Sequence, residues 1–323
     1  MHRLRDVGEH AWIGRLGGLL AGAHRGPRVL VGPGDDTAVV RPPRRPLLLT
    51  TDALCEGVHF RLPWISPAAL GQRAFLVNAS DVAAMGGVPT FALLAVEAPP
   101  ELPVAALDAV VAGFSAAARR AGATLVGGNL TAGRRLALTV ALLGEAPGRV
   151  VTRAGGRAGD ALYVTGALGA GGLAVRRLLA GSRGTLPVPP LRVGAGVLLA
   201  RLAGAMIDVS DGLLQDLGHV CRASGVAAEV ELARVPVAPA CRRALGTGAA
   251  AHAAAAGEDY ELLFSVPLRR EVALARLAPR LGCRVTRIGR LCRGRPAVRV
   301  VDAAGRQLPV RTTGFDHFGA RHR

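Results

Sequence analysis

From Leu136 to Leu142 the chain alternates, with Leu136, Leu138, Val140 and Leu142 on one side, which predicts a half-buried strand. Leu213, Leu214, Leu217 and Val220 recur at helical spacing and predict an amphipathic helix, with Ser210 as its N-cap. Arg28 to Val31 reads as a short strand entering a Gly-Pro-Gly turn. Leu47 to Leu49 reads as a buried strand carrying Thr50, Thr51 and Asp52 at its C-terminal end. Ser80, read as an N-cap, puts Asp81 in the first turn of a helix that stops near Gly86 and Gly87. Val126 to Thr131 (VGGNLT) predicts a Gly-Gly turn where backbone approaches a ligand closely. Leu162 to Gly172 predicts a strand, a glycine-rich turn and the start of a helix. Gly144 to Arg149 holds turn residues without periodicity and predicts a domain boundary, and Gly181 to Pro190 predicts a surface loop. Tyr260 and Phe264 are expected in the core.

A length of 323 residues fits two domains, divided at the predicted boundary as 1–146 and 147–323. Half of the residues are apolar, yet no window is long and apolar enough to span a bilayer. Asp6, Glu9 and His10 stand where a secretory leader needs an apolar run, so a cytoplasmic protein without membrane association is expected. Cys55, Cys221, Cys241, Cys283 and Cys292 are odd in number and form no C-x-x-C pair, which argues against a disulfide framework or a zinc site. The formal charge of +17 is carried by scattered arginines with no lysine, and aromatics are only 3%. That pattern reads as compositional bias and not as a nucleic-acid surface. The missing lysine also excludes a Walker A loop and a protein-kinase strand lysine.

The acidic residues carry more information. Eleven of the 23 fall in five short motifs: GDD (Asp35, Asp36), TTDALCEG (Asp52, Glu56), NASD (Asp81), DVSDGLLQD (Asp208, Asp211, Asp216) and GEDYE (Glu258, Asp259, Glu261). In an arginine-rich chain, carboxylates grouped away from arginine point to hard divalent cations, which take oxygen ligands and bridge to phosphate. Taken singly, Asp81 or Asp211 is equally explained as a helix cap, and the Asp35–Asp36 pair as a solvated turn. The set of motifs together favours metal.

In their order, these motifs resemble those of the bacterial thiamine-monophosphate kinases. The segments that carry the resemblance are VGEHAWI, GDDTAVV, TTDALCEGVHF, GQRAFLVNASDVAAMGGVPTF, VGGN, DVSDGLLQDL, GEDYELLF and GFDHF, which span nearly the whole chain. The resemblance implies an α/β (α+β) protein whose N-terminal mixed-sheet domain pairs in a homodimer and holds ATP and magnesium. It implies a C-terminal α/β domain that completes the site, and γ-phosphoryl transfer from ATP to thiamine monophosphate. It further implies several magnesium ions at Asp36, Thr50, Thr51, Asp52, Asp81, Asp208 and Asp211, with Asp35 shaping its turn. Gly128, Asn129, Arg153 and Ser210 match nucleotide-binding positions. His59, Glu258 and Phe315 match positions that face the thiamine phosphate. No catalytic general base is implied, because the attacking phosphate oxygen is already anionic. Asn129 stands where many members have Asp, and Val111 where an aromatic residue is expected near the base. Two alternatives are another enzyme of the superfamily and a non-catalytic, magnesium-nucleotide-binding regulator.

Overall fold

The computed structural model describes residues 2–19, 27–32, 37–42 and 44–309, which separate into two compact units. Described residues up to 82 and from 87 to 147 form the first, and residues 83–86 and 148–309 the second. No helix among the described residues is long and apolar enough to cross a membrane.

The first unit opens with helices α1 (Leu4–Val7) and α2 (Glu9–Leu19) and a small ribbon of β1 (Val29–Val31) with β2 (Val39–Val40). Strand β3 (Leu47–Cys55), helix α3 (Pro67–Ala84), strand β4 (Val88–Ala98), helix α4 (Val104–Arg120) and strands β5 (Thr124–Ala132) and β6 (Ala137–Glu145) follow. The sheet order is β3-β6-β4-β5, antiparallel except for the β4–β5 pair, which α4 connects. This is the mixed sheet anticipated from the sequence. The predicted alternation holds in β6, where Leu138, Val140 and Leu142 are buried.

Three local expectations are corrected. The Leu47–Leu49 run is not a buried strand: β3 is a sheet edge, Leu49 is 70% exposed, and Thr50 to Asp52 lie in mid-strand. Asp81 sits near the C-terminal end of the 18-residue α3, not in a first turn. The helix begins further back, where the Ser66 hydroxyl accepts the Ala69 amide at 3.3 Å ahead of Pro67. Gly127 and Gly128 belong to strand β5 and not to a turn; a Cβ on Gly128 would lie 1.9 Å from the Leu94 carbonyl oxygen, beside a register shift in β4.

Helices α3 and α4 meet at two glycines. A Cβ on Gly71 would fall 1.8 Å from the Val110 oxygen, and one on Gly113 would fall 2.0 Å from the Ala68 oxygen. Beside this crossing, the Phe75 and Phe114 rings meet edge to face at 5.4 Å. Val111 is buried here, in the core of the unit. The opposite face of the sheet exposes Leu47, Leu49 and Leu93.

The second unit is a six-stranded sheet in the order β12-β9-β11-β7-β10-β8. Its strands are β7 (Ala161–Thr165), β8 (Met206–Asp208), β9 (Ala227–Glu231), β10 (Leu262–Val266), β11 (Val285–Cys292) and β12 (Ala297–Val301). Its helices are α5 (Ala170–Leu179), α6 (Val193–Leu199), α7 (Leu213–Ser224), α8 (Pro239–Leu245), α9 (Ala249–Ala255) and α10 (Glu271–Leu277). The stripe Leu213, Leu214, Leu217 and Val220 of α7 is buried, in one core cluster with Leu162 and Val164 of β7. Tyr260 and Phe264 are buried as expected.

The glycine crossing sets the distance between α3 and α4. Gly113→Ala is expected to cost about 1–3 kcal/mol by overpacking. Urea denaturation should show a lower midpoint with an unchanged slope; an unchanged midpoint would contradict this packing.

Candidate active site

In the first unit, the β3–β6 register decides which candidate residues share a face. Thr50 pairs with Leu142, Thr51 with Ala141 and Asp52 with Val140. Thr50 and Asp52 therefore lie on the face whose row neighbours Leu142 and Val140 are buried, and Thr51 on the other. The Thr50 hydroxyl donates to Asp81 Oδ2 at 2.7 Å, which ties β3 to the end of α3. Asn129 pairs with Ala95, in the row that runs through Thr139 to Ala53, and so belongs to the face of Thr51. It also lies on the opposite edge strand from Thr50, three strand spacings or roughly 14 Å away. The structure thus joins Thr50 and Asp81 directly and puts Asp52 on their face; Thr51 and Asn129 lie on the other face, and Gly128, in the row of Asp52 through Leu94 and Val140, lies on the opposite edge strand.

After β3 the chain turns through Gly57, with φ of 87°. The Val58 and His59 amides both donate to the Cys55 carbonyl, and the Cys55 amide donates to His59 Nδ1 at 3.0 Å. A backbone N–H can only donate, so Nδ1 holds the lone pair. The neutral ring then carries its proton on Nε2.

In the second unit, two motifs some fifty residues apart are laced together by backbone. Asp208 pairs with Leu262 at the end of β8. Beyond it, Val209 donates to Glu261 O at 2.8 Å, Tyr260 to Val209 O at 2.8 Å and Glu258 to Ser210 O at 2.7 Å. Asp208, Ser210 and Asp211 are thereby held alongside Glu258. Glu258 and Tyr260, at φ of 72° and 51°, are the non-glycine residues of positive φ among those described. Such strain collects at functional sites.

What holds this loop pair are Asp216, Asp259 and Glu261, which the sequence counts among the metal-directed motifs but does not single out as site residues. Asp259 is buried and accepts the Gly169 amide at 2.6 Å and the Gly171 amide at 3.2 Å. The glycine-rich turn before α5 is therefore closed by a carboxylate and does not present open amides to phosphate. Glu261 is held by Arg192 through two bonds of 2.6 Å and by the Thr165 hydroxyl at 2.6 Å. Asp216 accepts the Asp211 and Gly212 amides, both at 3.1 Å. The N-cap of α7 is Gly212, so Ser210 is not a cap, contrary to expectation. Sequence offers a hint only for Asp216, a carboxylate one turn inside the helix reaching back as in a capping box. The partners of Asp259 and Glu261 lie 69 to 96 residues away in sequence, and nothing local announces them.

Burial, followed by the charges of Asp208 and Asp211, raises the pKa of Asp216 to about 8. Burial raises that of Asp259 to about 7 against the pull of the Gly169 and Gly171 amides. A group of buried carboxylates with oxygen donors only is the environment that a hard divalent cation relieves. Among the described residues no group of three or more His, Cys, Asp or Glu side chains is placed to hold a metal ion on its own. Asp36, its neighbour Asp35, and Phe315 lie outside the described residues.

The AIR synthase related protein N-terminal domain matches residues 34–146, and the corresponding C-terminal domain matches residues 157–301. The thiamine-monophosphate kinase of Mycobacterium tuberculosis is 38% identical over 278 residues, covering 80% of this chain and 81% of that one. That of Salmonella typhimurium is 38% identical over 306 residues, covering 90% and 92%. The chain belongs to the thiamine-monophosphate kinase family. Among solved members of this family, the kinase of Stenotrophomonas maltophilia superposes with a TM-score of 0.81 at 34% identity, over 88% of this chain and 95% of that one. A ThiL protein complexed with AMPPCP and TMP superposes with a TM-score of 0.75 at 32% identity, over 98% and 99%. The hydrogenase maturation protein HypE shares the fold alone, with a TM-score of 0.76 at 20% identity over 94% of this chain and 95% of that one.

In this thiamine-monophosphate kinase family member, Asp259 gives a signed pH dependence. Its folded pKa of about 7 exceeds the ordinary value of 3.8, so the folded state binds the proton more tightly. Stability falls as pH rises from about 4 through about 7. Thermal melts from pH 5 to pH 8 should decline less steeply for Asp259→Asn than for the wild type; equal slopes would contradict the assignment.

Proposed function

We propose that this protein transfers the γ-phosphoryl group of ATP to the phosphate of thiamine monophosphate, giving thiamine diphosphate and ADP by direct in-line displacement. The observation that carries the reading is the backbone lacing of DVSD to GEDYE, which sets acidic and hydroxyl oxygens beside Glu258 in a chain of this family. The solved relative with AMPPCP and TMP supports the same pair of substrates.

The nucleophile is a phosphate oxygen, ionised at neutral pH, so no side chain has to remove a proton. The barrier is repulsion between two polyanions. Magnesium, when bound, neutralises phosphate charge and lowers that barrier. We assign its ligands to Asp36, Thr50, Asp52, Asp81, Asp208 and Asp211, with Thr51 contributing from the other sheet face or through its main chain. Gly128, Asn129, Arg153 and Ser210 are assigned to the nucleotide. His59, as an Nε2–H donor, Glu258 and Phe315 are assigned to thiamine monophosphate. In this reading residues up to 146 supply the ATP and magnesium domain and residues from 147 complete the site. The exposed apolar sheet face around Leu47, Leu49 and Leu93 is assigned to pairing of two copies. ATP as donor makes the cytoplasm the compartment of action.

A coupled assay should detect ADP when ATP, magnesium and thiamine monophosphate are all present, and none with thiamine or aminoimidazole precursors. Binding of Mg-ATP by folded protein without turnover would replace this reading with that of a nucleotide-binding regulator. Asp81→Asn keeps an oxygen for the Thr50 hydroxyl but removes the charge. It should lower kcat by at least roughly 10–100-fold, the range for losing even an outer partner of a metal site, without lowering the melting temperature. Wild-type activity with unchanged magnesium dependence would rule out that role.

A further inference from the structure

Arg153 lies in an exposed one-turn 3-10 helix, Arg153–Gly155, a kind of segment that ordinarily wanders. Here it is tied down on every side. The Thr152 hydroxyl accepts the Ala154 amide at 3.3 Å, and the Met206 amide donates to Thr152 O at 3.2 Å. Gly155 lies so close to Gly204 that a Cβ there would stand 2.1 Å from the Gly204 oxygen. The last residue of α7 closes the clamp: the Ser224 hydroxyl donates to Arg153 O at 2.7 Å and accepts the Gly156 amide at 3.0 Å.

One hydroxyl thus bridges the carbonyl and the amide that bracket the turn, using both its donor and its acceptor capacity. Alanine could do neither. The other end of the same helix follows Asp208, Ser210 and Asp211. At 12 residues, α7 separates its two ends by about 18 Å, so Ser224 and the backbone of its turn sit far from the acidic loop. The α7 surface between them feels both ends. His219 is held below its ordinary pKa by burial and by the cations Arg222 and Arg153, while Asp211 pulls the other way.

We propose that Ser224 is a positioning residue that fixes Arg153 for the nucleotide. Helix α7 then acts as a rigid strut between the phosphate-facing acidic loop and the Arg153 turn. The inference rests on the assignment of Arg153 to ATP. It concerns affinity for the nucleotide and not the transfer step, because Ser224 touches backbone only and lies at the far end of the strut.

The test is steady-state kinetics of wild type, Ser224→Ala, Ser224→Thr, Arg153→Ala and the Ser224→Ala/Arg153→Ala double variant, with ATP and thiamine monophosphate varied separately. Ser224→Ala loses both hydrogen bonds and should raise KM for ATP about fivefold. KM for thiamine monophosphate and kcat should stay within twofold. Ser224→Thr restores the hydroxyl and should recover the KM. In the double variant, loss of the serine should add nothing to the loss of the arginine. An unchanged KM for ATP in Ser224→Ala, or full additivity in the double variant, would overturn the proposal. If the wild type turns nothing over, the kinase reading fails separately. Calorimetric titration of the same variants with Mg-AMPPCP then decides the clamp, with about fivefold weaker binding for Ser224→Ala expected and equal binding contradicting it.

Discussion

Crowding of like charge is the constraint from which the second unit is built. Asp208, Asp216, Asp259 and Glu261 are all buried, and each buried carboxyl, whether ionised or held protonated by a raised pKa, needs hydrogen-bond partners. The structure provides them in different ways. Glu261 receives a bidentate arginine and a hydroxyl. Asp259 receives the first amides of α5, and Asp216 the amides that lead into α7. In satisfying these groups the chain is forced into a particular shape. Asp259 meets the α5 amides between Glu258 and Tyr260, both of positive φ, and the same segment is laced to Val209 and Ser210. The arrangement of the candidate ligands is therefore a consequence of how buried acids find donors.

The same logic separates residues that hold the site from residues that would touch its substrates. Asp259, Glu261, Arg192 and Thr165 are occupied with one another and with backbone. Asp211 has Gln215 beside it at 3.3 Å and lies next to a carboxylate whose pKa is already driven up to about 8. Near neutral pH Asp216 is therefore held mostly protonated, and the proposed magnesium would be met by Asp208 and Asp211. In the first unit the pattern is sparser, with Thr50 and Asp81 joined across β3 and α3 and Asp52 on the same face.

Much of this was legible in the residues. The α7 stripe and the β6 alternation announced themselves because their periods are strong and their buried faces complete. The order of acidic motifs identified the family. The failures have physical causes. Ser80-Asp81 looks like a helix start, but the true signal is Ser66-Pro67, fourteen residues earlier, and α3 then runs through Asn78 and Ser80 without a break. Asn78 is accommodated by donating to the Ala74 carbonyl one turn back, at 3.0 Å. Gly127-Gly128 looks like a turn, but it marks close approach of two strands at a register shift. Partners for Asp259, Glu261 and Ser224 are long-range in sequence, and no local pattern encodes them.

The central claim is that the acidic loop after β8 carries negative charge destined for a divalent cation. Thermal melting with and without magnesium, against sodium chloride of equal ionic strength, tests it most directly in wild type and Asp208→Asn. The account predicts a saturable rise in melting temperature with magnesium in the wild type that is largely lost in Asp208→Asn. An equal magnesium-induced rise in both proteins, or none in the wild type even with AMPPCP present, would contradict it.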